Sequence, residues 1–118
     1  MKTFSEAINI KNADIDITTG ERISHEVIYT RAINLLGGLD AVIPYIPFKL
    51  EEIQKALENY DEHLNTLPLH VWDFGGERIK DLCYRKARIN YMSISQGVCL
   101  LKEAARQWAG REVQNEIQ

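Results

Sequence analysis

Three histidines, two cysteines and a run of cations are the residues of this 118-residue chain whose chemistry extends beyond packing. His25-Glu26 is followed by Val27, Ile28 and Tyr29, so a His-Glu-x-x-His zinc pattern fails at its second histidine. Asp61, Glu62 and His63 are consecutive. On a helix, consecutive residues point in different directions and cannot form one metal-binding face. His70 and Asp73 are spaced to share a hydrogen bond that orders a turn, which is a structural role. Cys83 lies among Arg78, Arg85 and Lys86, whose charge would lower a thiol pKa, but helical periodicity places it on an apolar face. Cys83 and Cys99 have neither zinc nor redox spacing, and each reads as a small buried hydrophobe in a reducing compartment. No glycine pattern suited to phosphate binding is present, and Gly37-Gly38 and Gly75-Gly76 read as helix stops. The chain is therefore expected to have no catalytic residues, no metal and no cofactor.

Charge is the stronger signal. From Arg78 to Arg111 the chain carries eight basic residues against two acids, inside a protein whose formal balance is −3. Residues 1–70 hold eleven acids against six basic residues. Such asymmetry steers association with a partner. The candidate contact residues are a basic patch of Arg78, Lys80, Arg85, Arg88, Lys102 and Arg106, and an aromatic connector carrying Trp72 and Phe74. Tyr84 and Tyr91 are available to stack, although tyrosine in this setting more often packs half-buried.

The elements that must position these residues are mostly helical. Ile8, Ile10, Ile15 and Ile17 alternate with polar residues, and Thr19-Gly20 before Glu21 to Ser24 predicts an N-terminal β-hairpin. Ser24 caps a helix that stops at Gly37-Gly38. Pro44 and Pro47 limit residues 39–48 to one helical turn followed by an extended apolar linker. Leu50, Ile53, Leu57, Tyr60 and Leu64 form one stripe and predict a helix over 49–64, ended by Pro68. Residues 70–74 then form the aromatic connector, closed by Gly75-Gly76. A helix over 77–89 presents Ile79, Leu82, Cys83 and Ala87 inward and Arg78, Asp81, Arg85 and Arg88 outward. Ser93 or Ser95 caps a last helix that buries Val98, Leu101, Ala105 and Trp108, exposes Lys102, Glu103 and Arg106, and frays from Gly110.

The expected architecture is thus mostly α within an α+β frame: one compact domain of about four bundled helices with one hairpin. Residues 1–24 supply the strands, 25–111 the helical core and 112–118 a loose tail. No run approaches the ~18 apolar residues that span a bilayer, and the N-terminus lacks the apolar region of a secretory signal. Cytoplasmic residence without membrane contact is the consistent reading. Of two functional classes, the first is a non-enzymatic accessory protein that binds and modulates a larger protein. Short chains of this character are frequent among phage and mobile-element accessory proteins, inhibitors included. The alternative is a nucleic-acid-binding regulator using residues 78–111, although the denser cations lie on the wrong helix for a helix-turn-helix. The opposite-sign halves and the small residues Ala104, Ala105 and Ala109 also suggest a homodimer.

Overall fold

Ser93 fixes where the last helix starts. Its hydroxyl accepts the Gln96 N–H at 3.1 Å, while the Gln96 side-chain oxygen accepts the Ser93 N–H at 2.7 Å. This reciprocal capping box satisfies two donors that the helix start would otherwise orphan. It launches the longest of the described helices. A computed structural model describes residues 25–117, with side chains for 26–112. In chain order the elements are α1 (His25–Leu35), α2 (Leu39–Val42), a 3-10 turn (Ile43–Tyr45), α3 (Leu50–Glu58), α4 (Leu69–Ala87) and α5 (Ile94–Ile117). No strand occurs among the described residues, and the expected hairpin lies outside them.

α5 is the spine, since α1, α2, the 3-10 turn, α3 and α4 all pack on it, with α4 its most extensive partner. At the α4–α5 crossing, a Cβ built on Gly97 would lie 2.6 Å from the Gly76 carbonyl oxygen, and one on Gly76 would lie 2.9 Å from the Ile94 carbonyl oxygen. The two backbones are therefore in direct contact. Trp72, Ile79, Leu82 and Cys83 of α4 close over Val98, Leu100, Leu101, Ala104 and Ala105 of α5, all in one buried core with Ile33, Leu36, Val42 and Ile53.

That contact corrects the expected connector. Residues 70–74 form the opening turns of α4, which begins directly after Pro68 and runs through Gly75-Gly76 without interruption. The two glycines do not end a helix; they remove the side chains that would hold α4 away from α5 and Pro47. Trp72 is consequently fully buried, 4.8 Å from the Phe48 ring, instead of standing on a surface connector.

α4 ends in an αL cap, with Arg88 N–H bonding the Tyr84 carbonyl and Ile89 N–H reaching back to the Cys83 carbonyl. Arg88 occupies the left-handed cap position at φ 59°, where glycine is usual.

α3 is shorter than its stripe implied. Asp61 N–H bonds the Ala56 carbonyl, and Tyr60 takes the left-handed cap position at φ 62°. The Asp61 carboxylate then accepts the Thr66 N–H at 2.6 Å and further backbone N–H groups of Asn65 and His63, which hold its pKa below the usual aspartate range. Leu64 reaches the core from this loop and Tyr60 points to solvent, 94% exposed. Leu57 and Trp108 are half-buried, whereas Leu82 and Leu101 are buried as expected.

The expected stop at Gly37-Gly38 is present, both glycines having positive φ. α5 continues past Gly110 to Ile117, so fraying does not begin there. Ala104, Ala105 and Ala109 are buried within the chain's own core and are not available to a second copy.

Two glycines of α5 separate packing from propensity. Alanine at either position gains up to about 1 kcal/mol of helix propensity. At Gly97 the methyl group meets backbone, so G97A is expected to lose about 2 kcal/mol net. Gly110 has nothing within 4 Å of its Cβ position, and G110A should stabilise. Urea titration of both variants checks the crossing.

Candidate functional site

The outward side of α4 carries the surface with the most chemical character. Glu77 and Asp81, one turn apart, form a ridge between two hollows. The larger, about 450 Å³, is lined by Glu77, Lys80, Asp81, Tyr84 and Tyr91 over a floor that includes Ile89 and Met92. The smaller, about 370 Å³, is lined by Tyr45, Glu77, Arg78, Asp81 and Arg85. Tyr84 and Tyr91 are 51% and 68% exposed while Ile89 and Met92 are buried, so aromatic walls stand over an apolar base. Tyr91 is held outward by a left-handed backbone at φ 60°, in the tight turn that joins α4 to α5.

The expected basic patch divides. Arg78, Lys80, Arg85 and Arg88 are all exposed on α4 or its cap. Lys102 instead donates to the Asn65 side chain at 3.2 Å and sits 5.9 Å from the Trp72 ring centre, where it joins α5 to the 59–68 loop. Arg106 pairs with Glu103 at 3.1 Å on the α1 side of α5. The six residues do not make one surface.

Within the α4 group, two cations have internal partners. The Arg78 guanidinium lies 5.2 Å from the Tyr45 ring centre, and Arg85 Nε donates to Asp81 at 2.8 Å. Both side chains of that i,i+4 pair are exposed, so solvent screens it and it adds little to stability. Lys80 and Arg88 have no ion-pair partner among the described residues. Of the aromatic pair, Phe74 is 61% exposed on α4, whereas burial removes Trp72 from any contact role in the folded chain. The Trp72 indole N–H has no acceptor, so its location comes from packing rather than hydrogen bonding.

Cys83 is buried, and desolvation pushes its thiol up to about 12, which keeps it protonated at neutral pH in spite of the nearby arginines. Cys99 departs from expectation by being exposed. It touches the Tyr29 hydroxyl, whose pKa is raised by burial first and by Cys99 second. Among the described residues, no group of three or more His, Cys, Asp or Glu side chains could hold a metal ion. No helix among them is long and apolar enough to cross a membrane.

One polar feature escaped the sequence reading. Glu103, expected to face water, is only 6% exposed. It receives hydrogen bonds from Arg106 at 3.1 Å and Gln107 at 3.4 Å, and Gln107 also donates to the Thr30 hydroxyl at 2.8 Å, joining α5 to α1. The available signal was the i,i+4 spacing of Glu103 and Gln107, which stacks two polar side chains one turn apart on α5.

Burial, only partly offset by Gln107 and Arg106, pushes the Glu103 carboxyl above the ordinary glutamate value. Its folded pKa exceeds its unfolded one, so the folded chain binds this proton more tightly and stability declines as pH rises between the two values. Replacing Glu103 by Gln removes that decline. E103Q is expected to gain on the wild type at pH 7 relative to pH 4, as read from urea midpoints at both pH values.

Comparison with known proteins adds no identity to this geometry: no family model, no curated protein and no solved structure matches the chain.

Proposed function

We propose that the chain is a non-enzymatic accessory protein that binds and modulates a larger protein partner through the outer face of α4 and the turn after it. The observation that carries this reading is the pair of hollows walled by Tyr45, Tyr84 and Tyr91 on either side of the Glu77–Asp81 ridge. Tyrosine and arginine are the usual anchors of protein interfaces, because they combine large contact area with directional polar groups. The charges favour the same class of partner. Phosphate binding relies on clustered cations that release counterions, whereas here Arg78 and Arg85 are engaged within the chain and two acids form the central ridge. A surface of alternating sign suits a partner of complementary pattern. Cytoplasmic residence belongs to the proposal and is supported by the two unpaired thiols.

A photo-crosslinking residue at position 84 or 91 tests the reading in the cell that makes the protein. The expected product is an adduct with another protein that disappears in R85E/R88E. Both arginines are exposed, so the double reversal should change stability by no more than about 1 kcal/mol. Juxtaposed like charges at the contact, by contrast, remove several kcal/mol of affinity. Adducts with nucleic acid alone, or R85E/R88E binding as the wild type does, would overturn the proposal.

A further inference from the structure

The Glu77–Asp81 ridge has a hollow on each side, and the smaller one is furnished with cations from within the chain. There the Arg78 guanidinium lies over the Tyr45 ring, 5.2 Å from its centre, and Arg85 donates to the Asp81 carboxylate at 2.8 Å. These are two usual ways to hold a guanidinium, whose plane stacks on an aromatic face and whose N–H groups bond a carboxylate. Two arginines thus balance the two acids of that hollow.

The larger hollow repeats the wall chemistry without the arginines. It presents Tyr84, Tyr91 and the same Glu77 over the apolar Ile89 and Met92, and Lys80 is the only cation among the described residues that line it. Tyr84 enters from α4 and Tyr91 from the turn after it, so aromatic side chains approach from two elements. Asp81 is engaged by Arg85, whereas Glu77 is exposed and has no ion-pair partner among the described residues. Glu77 is therefore the carboxylate that can still gain a cation.

We infer that the larger hollow takes an arginine side chain of the protein partner, held on the tyrosines and against Glu77. The inference rests on the reading of this face as a protein-binding surface and names what the partner inserts. Arginine answers all the features of the hollow together. Its methylene stem covers the apolar floor, its planar head stacks on tyrosine and its charge meets Glu77. The volume of about 450 Å³ lies within the usual range of ligand sites. A lysine shares the charge but lacks the planar fork. An acidic side chain or a phosphate would meet Lys80 but would also face Glu77 and Asp81. Lys80 opposes the arginine, so its charge weakens the site that Glu77 builds.

Titration of the full chain with Nα-acetyl-arginine amide, followed by backbone amide NMR shifts, provides the test. The citrulline analogue, which keeps the planar head without its charge, and the lysine analogue are the comparisons. Arginine should give saturable shifts centred on Glu77, Tyr84 and residues 89–92. Citrulline should bind about tenfold or more weakly, and lysine about threefold or more weakly. E77Q and Y91N should each weaken arginine binding about fivefold, while K80Q should tighten it about threefold. Opposite effects of E77Q and K80Q are not expected of merely structural residues. Asparagine tolerates the left-handed backbone at position 91, and the dispersion of each spectrum shows that the fold is kept.

No saturable shift at these residues would overturn the inference. So would citrulline or lysine binding as tightly as arginine, or equal shifts at Glu51 and Glu52 of α3. A position-84 protein adduct that E77Q leaves undiminished, without arginine binding, overturns the arginine and leaves the proposed function standing. The expected arginine binding with adducts to nucleic acid alone supports the hollow as a guanidinium site and counts against the protein partner.

Discussion

The backbone contact between Gly76 and Gly97 sets the geometry from which the rest follows. With no Cβ on either side, α4 approaches α5 until the Gly76 carbonyl meets the Gly97 backbone. At that separation, Trp72, Ile79 and Cys83 bury completely against α5, and the large apolar side chains of both helices interdigitate. A crossing one methyl group wider would leave gaps along the seam, and unfilled space in a core costs contacts that nothing else replaces. Because α5 also carries α1, α2 and α3, the position of every other helix refers back to this crossing.

The same packing sorts the cations by use. α5 packs against every other described element, so Lys102 becomes a stitch to the 59–68 loop, while Arg106 pairs with Glu103 of its own helix. Arg111 joins them by pairing with Asp40 of α2 at 2.7 Å. α4 buries only one side, and its opposite side keeps a pattern of alternating sign bordered by tyrosines. An even cationic field would offer any phosphate backbone a similar welcome. A ridge of two acids between Lys80, Arg78 and Arg85 instead makes the sign of charge alternate across this side.

Local signals in the chain were reliable wherever the chain decides structure over a few residues. Gly37-Gly38 ends α1 because positive φ is accessible there without strain, and Ser93 starts α5 because Gln96 returns its hydrogen bond. Pro44 and Pro47 confine residues 39–48 to short turns. The exposed positions of Arg78, Arg85 and Arg88 likewise follow from helical periodicity. The readings that failed have two causes, a distant segment that outweighs the local preference and a local turn that interrupts the helical period. Gly75-Gly76 has the composition of a stop but serves as a contact, and Tyr60 continues a stripe that the left-handed turn cuts off.

What the sequence determined by itself is therefore the helical content, most of the element boundaries and which side of each helix is apolar. Propensity, capping and periodicity act within about one turn and are written in adjacent residues. Only the tertiary structure decided that Trp72 is core, that Glu103 is enclosed beside α1, and that the basic segment divides into stitches and a surface. Each of those outcomes depends on which residue, far away in the chain, arrives opposite. That is fixed by the close approach of two helices at Gly76 and Gly97 and by no local pattern.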